Sequence, residues 1–183
     1  MINTLNAMKH SPIRNYVIPG LTSWMIGEKA SDGSCVRLFE CERNHVEPIV
    51  PHSHRFDFAC HVLEGVVTNR LWRKDDEPTG KRHFDAYTAI SLKYLGEVGN
   101  YSRSVIGVDE WCYQDRTYKA GERYSMKANE IHSIYFSKGA KVLFFEGPTE
   151  TDSSVVLKPF VDGETIDTFK VESWMFKKEV SDE

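Results

Sequence analysis

Apolar residues along this chain come in short, punctuated runs rather than in long periodic stretches. Runs rich in Val, Ile, Phe, Tyr and Trp, four to eight residues long, fall at Asn15–Ile18, Ser23–Ile26, Val36–Glu42, Phe58–Glu64 and Val66–Arg73. They continue at Tyr87–Leu92, Val105–Val108, Ile131–Phe136, Lys141–Glu146 and Val155–Pro159. Such runs predict strands. Turn-formers separate them, among them Pro19-Gly20, Asp32-Gly33, Gly65, Lys138-Gly139 and Gly147-Pro148. No window of a dozen residues holds a 3.6-residue period well. The best helix candidates are the first dozen residues and Thr168–Lys178. Regularly broken short strands predict an all-β fold, a sandwich or barrel.

The chain has 183 residues, which suits one domain spanning 1–183 with a core of its own. Aromatic residues at 12% fit a sheet-rich fold. The formal charge of -4 gives no general attraction to nucleic acid or to an anionic membrane surface, so neither is expected as a partner. No apolar run is long enough to span a bilayer as a helix, and the opening MINTLNAMKH lacks the apolar centre of a secretory signal. Cys35, Cys41, Cys60 and Cys112 form no CxxC pair, and read as reduced, core-filling thiols. These features lead to a cytoplasmic expectation. The charged segment Lys74–Arg82 reads as an exposed hairpin connection, and Lys177–Glu183 as a frayed tail.

The chemistry concentrates at Pro51-His52-Ser53-His54. On an extended strand, histidines two apart present both imidazoles to one face. Two neutral imidazoles converging on one point make a seat for a borderline divalent ion. A pair alone is a weak signal, so the residues around it decide.

His52 and His54 are followed by Arg55-Phe56-Asp57, Phe58, six residues and Gly65, a frame that resembles the first motif of the cupin superfamily. Gly121 and His132 fall in the register of the second cupin motif, with Lys127, Asn129 and Phe136 at its proline, second glycine and asparagine positions. Asn129 there would take the left-handed turn that the motif's glycine provides. The resemblance covers motif one at about 51–65 and motif two at about 121–136. It implies an antiparallel cupin-type β-barrel, a double-sheet jelly roll, with at least one extra hairpin between the motifs.

Phe58 stands where the family usually carries a metal-binding carboxylate. The resemblance therefore implies a three-histidine site of His52, His54 and His132, similar to the thiol dioxygenase branch. The tyrosine of that branch, about 17 residues beyond the last histidine, is Thr149 here. Asp57 is offered as a fourth ligand or supporting carboxylate. Iron(II) is the first choice of cofactor, while zinc, nickel and manganese suit imidazole nearly as well. Arg70 shares a strand face with Trp72, and Arg37 with Phe39. An inward arginine would anchor a substrate carboxylate or phosphate, but a period of two does not say which face is inward. Glu146 closes an apolar run and is a candidate general base. The catalytic candidates are thus Asp57, Arg70 and Glu146. The expected function is a mononuclear iron dioxygenase acting on a small polar or anionic molecule. A ligand-binding cupin without turnover and a sugar or small-acid isomerase or lyase are the alternatives. Such an oxygenase calls for a cavity of about 300 Å³ or more. A homodimer, with the N-terminal strands extending a sheet or exchanging with a partner, is the expected assembly.

Overall fold

A computed structural model describes residues 2–45, 49–74, 85–96 and 100–163. A short helix α1 (Ile2–Met8) leads into β1 (Lys9–Ile13), β2 (Leu21–Ile26) and β3 (Cys35–Cys41). Then come β4 (Phe56–Glu64), β5 (Val66–Lys74), β6 (Asp85–Tyr94) and the 19-residue β7 (Tyr101–Lys119). The order ends with β8 (Arg123–Met126), β9 (Ile131–Phe136), β10 (Lys141–Thr149) and β11 (Ser153–Pro159). Every pairing between named strands is antiparallel. One six-stranded sheet runs β1-β2-β3-β10-β4-β8, and one five-stranded sheet runs β11-β6-β7-β5-β9. This is the all-β, double-sheet arrangement expected from the sequence.

The sheets face each other across a core that includes Phe39, Phe58, Val62, Val67, Phe136 and Val142. Alternation puts them there: on β5, Val67, Asn69 and Leu71 turn inward while Thr68, Arg70 and Trp72 turn out. The outer face carries an aromatic cluster of its own, with Trp72 packed on Tyr87 and Tyr113. Gly65 is the corner at which the chain leaves one sheet for the other. Its φ of 72° suits glycine, and a Cβ there would lie 2.7 Å from the Ala140 Cα.

The segment before β4 completes the architecture. His52 pairs with His132 of β9 through two backbone hydrogen bonds of 2.9 Å, and on its other side bridges to Val156 of β11. The two edges of the five-stranded sheet are thereby joined through one residue, and the sheet closes on itself.

Several expectations are corrected. Asn15–Ile18 is not a strand but a loop, in which Asn15 and Val17 have φ of 50° and 68°. Val105–Val108 is a fragment of the much longer β7, and β1 and β8 were not anticipated. Asn129 is not among the residues with positive φ; its turn is closed by Lys127 and Glu130, whose backbone and side chain bond each other. The helix expected at Thr168–Lys178, the connection beyond Lys74 and the tail at 177–183 lie outside the described residues. Among the described residues, no helix is long and apolar enough to cross a membrane.

Candidate metal centre

The extended segment at residues 49–54 runs beside β9, with Ile49, His52 and His54 each donating a backbone hydrogen bond to the strand or its preceding turn. That pairing sets His52, His54 and His132 on one spot. Their ring centroids lie 4.8, 4.9 and 5.1 Å apart. One ligand nitrogen from each falls within 4.8 Å of the others.

Hydrogen bonds orient two of the rings. His52 Nδ1 lies 2.7 Å from the Val50 carbonyl, which can only accept, so Nδ1 carries the proton and Nε2 is left bare. His132 Nδ1 lies 2.7 Å from Asn69 Oδ1, and Asn69 Nδ2 donates to the Met126 sulfur at 3.2 Å. That fixes the amide and again leaves Nε2 as a lone pair. His54 Nε2 sits 2.9 Å from His132 Nε2. Two nitrogens on neighbouring positions of an octahedral ion, with bonds of about 2.0–2.1 Å, would be about 3.0 Å apart. The residues therefore fit a divalent ion. Burial holds all three histidines below the usual imidazole range, strongly so for His54 and His132, where the neighbouring histidines add to the effect. They are neutral, as ligation requires.

Phe58 is buried at the centre of this group. Its ring lies 4.7 Å from that of His54, 5.4 Å from that of His132 and 4.8 Å from that of Phe144. Phe58 thus presents an apolar wall to the histidine rings.

The histidines line a cavity of about 230 Å³, smaller than the volume expected from the sequence. Glu146, beside Phe58 in strand register, is half-buried with Arg55, Phe56, Tyr101 and Ser154, and this partly exposed end of the lining marks the mouth. Its Oε2 accepts from the Cys35 thiol at 2.6 Å and from Arg37 Nε at 3.1 Å. Burial, then the Glu146 carboxylate, pushes the Cys35 thiol up to about 11, so it stays protonated. Arg55 lines the same mouth, its guanidinium 4.3 Å from the Tyr94 ring centroid. Tyr16 and Val17, from the loop at 14–20, cover one side. That loop is held by Tyr16 N–H to the Leu21 carbonyl at 2.7 Å and Gly20 N–H to Asn15 Oδ1 at 2.8 Å. A left-handed conformation is unusual for a β-branched residue such as Val17.

Two candidates lie elsewhere. Arg70 points to the outer face, where it pairs with Asp115 at 2.7 Å and stacks on Tyr113 at 3.7 Å. Asp57 is turned away from the cavity: its carboxylate accepts from the Ala128 N–H at 2.8 Å and pairs with Lys127. It braces the turn whose Ala128 carbonyl receives the His54 N–H at 3.0 Å. Of the three catalytic candidates only Glu146 lines the cavity with the histidines. Asn69 was missed. Its signal was a polar amide between Val67 and Leu71, on the otherwise apolar inward face of β5. All four cysteines are free and buried.

No protein-family model matches the sequence, and no curated protein does either. Among solved structures, 95 chains are similar. An RmlC-like cupin from Shewanella frigidimarina is 14% identical, with a TM-score of 0.40, over 73% of this chain and 80% of that one. Hydroxypropylphosphonic acid epoxidase from S. wedmorenis is 10% identical, with a TM-score of 0.44, over 77% and 56%. KdgF from Halomonas sp. is 14% identical, with a TM-score of 0.42, over 75% and 87%. Similarities of this size carry neither activity nor ligand to the present chain.

Proposed function

We propose that this chain is a metal-dependent enzyme in which His52, His54 and His132 hold one divalent ion, iron(II) by preference, and that it oxidises a small polar or anionic molecule with dioxygen. The observation that carries the reading is the pair of Nε2 atoms 2.9 Å apart, one of them on a ring whose only proton is committed to Asn69. Bare lone pairs facing each other repel unless a cation or a proton lies between them. A bound divalent ion supplies Lewis acidity and, as iron(II), redox chemistry with dioxygen. The chain's own residues do the rest. Val50 and Asn69 hold the ligand rings in their tautomers. Phe58 and Phe144 exclude water from one side. Arg55 draws an anionic molecule to the mouth, and Glu146 receives a hydrogen bond or proton from it there.

The test is elemental analysis of untagged protein beside a His52→Ala/His54→Ala control, followed by anaerobic loading with iron(II) and measurement of oxygen uptake with small acids and thiols. One ion per chain, lost in the double variant, is expected. A parent chain that retains no more metal than the variant overturns the reading. The small cavity favours a second reading, a ligand-binding module without turnover. Bound metal and bound ligand with no oxygen consumption would decide for it.

A further inference from the structure

The mouth of the cavity carries two opposite charges that are met differently. Glu146 faces inward: it pairs in register with Phe58 and with Cys35, and stands two residues beyond Phe144 on β10. The donors it meets among the described residues, the Cys35 thiol and Arg37 Nε, both fall on Oε2. Oε1 takes no hydrogen bond from a described residue and is not one of the buried unpartnered atoms, so it keeps open surface where Glu146 lines the cavity. Arg37 balances the carboxylate charge at 3.1 Å, which makes the pair neutral as a unit.

Arg55 is the contrasting case. It lines the same mouth and forms no ion pair among the described residues. Its guanidinium lies 4.3 Å from the Tyr94 ring centroid. Stacking on a ring uses a face of the guanidinium and not its N–H edge, the edge that forks onto a carboxylate. The mouth thus offers one uncompensated cation and one acceptor oxygen, and the rest of the lining is mainly apolar, with Phe58, Phe144, Ile134, Phe136 and Val142. At about 30 Å³ for each water-sized group, a cavity of about 230 Å³ holds roughly eight non-hydrogen atoms. An anion satisfies Arg55, and Oε1 accepts only from a donor. An ammonium there would face a carboxylate that Arg37 already balances, with Arg55 at the same mouth. A hydroxyl supplies the donor and adds no charge.

We infer that the cavity's occupant is a short-chain hydroxy acid, whose carboxylate is held by the Arg55 fork, whose hydroxyl donates to Glu146 Oε1 and whose apolar carbons fill the interior. The inference rests on the reading above, that this cavity receives the substrate, and adds the class of molecule.

Metal-free protein is titrated calorimetrically with butanoate, hexanoate, their 2-hydroxy and 3-hydroxy forms, and 2-aminohexanoate. Without an ion, chelation by hydroxyl and carboxylate contributes nothing to the comparison. At one or both hydroxyl positions the hydroxy acid should bind about threefold to tenfold tighter than its parent acid, and tighter than 2-aminohexanoate. Arg55→Ala should weaken every acid about tenfold or more. The double variant Arg37→Met/Glu146→Leu leaves neither charge alone, and should bring the hydroxyl preference within twofold of unity. Hydroxy acids that bind no tighter than their parents at either length overturn the inference. So does a hydroxyl preference that survives the double variant, or 2-aminohexanoate binding best. If the double variant fails to fold, the series on the parent chain decides alone. Elemental analysis judges the metal separately. A chain that holds one ion but shows no hydroxyl preference sinks only the hydroxy-acid assignment, and one that prefers hydroxy acids but holds no ion sinks only the metal reading.

Discussion

Replacing Asn69 by alanine isolates the support of one ligand ring. Asn69 is 1% exposed, and its amide makes two contacts: it accepts from His132 Nδ1 and donates to the Met126 sulfur. Truncation leaves the imidazole N–H buried and unpaired, at about 1–3 kcal/mol. The contact with sulfur is weak, and the small void adds about 1 kcal/mol more. The expected loss is therefore about 2–4 kcal/mol. That corresponds to a fall in melting temperature of roughly 5–15 °C for a chain of this size. The His132 proton would then be free to move to Nε2, and metal affinity should fall about 10- to 100-fold. Calorimetric zinc titration and thermal melts with and without zinc measure the two effects separately. Asn69→Asp keeps the acceptor and adds a charge beside His132, so zinc affinity should return to the parent value or exceed it. An Asn69→Ala protein that melts lower yet binds zinc within twofold of the parent would refute the argument, leaving Asn69 as core packing alone.

Phe58→Glu should supply a fourth ligand, tighten zinc binding at least tenfold in calorimetry and lower the melting temperature of the metal-free form, since a carboxylate would replace a buried ring. Because burial depresses His54 and His132, the unfolded chain takes up their protons first as pH falls. Stability of the metal-free protein should therefore be flat above about pH 7.5 and drop by roughly 2–3 kcal/mol between pH 7 and 5.5, read by urea unfolding. Gly65→Ala forces a left-handed alanine onto the Ala140 backbone and should cost about 2–4 kcal/mol in the same assay. Arg70→Ala should leave zinc affinity within twofold of the parent, because the guanidinium points away from the cavity.

What could be read in the sequence was whatever depends on local spacing. The two-residue spacing of His52 and His54 on an extended segment, and the in-register His132, placed three imidazoles that the structure does bring together. The strand cores were equally legible, because alternation is a local property. The inward face of β5 was not. Both of its faces carry large apolar groups, the outer one because Trp72 packs against Tyr87 and Tyr113. Arg70 therefore looked as eligible as any inward residue. Asn69 acquires meaning only from its bond to His132 across the β5–β9 pairing, 63 positions away in sequence. The segment Asn15–Ile18 has strand composition for another reason. Its Tyr16 and Val17 are apolar because they cover a cavity, not because they join a sheet.

The closure of the five-stranded sheet through His52 also bears on the order of folding. His52 meets His132 and Val156 across roughly 80 and 100 residues, long separations that the β4–β10 and β3–β10 pairings share. Contacts of such sequence separation cost loop entropy before they return any stability, and they form late and slowly. Hairpins such as β2–β3 and β6–β7 can assemble without them. The ligand set therefore comes together late, with the other long-range pairings of the two sheets. A divalent ion should slow unfolding without hastening refolding, leaving the folding arm of the chevron unchanged and shifting only the unfolding arm.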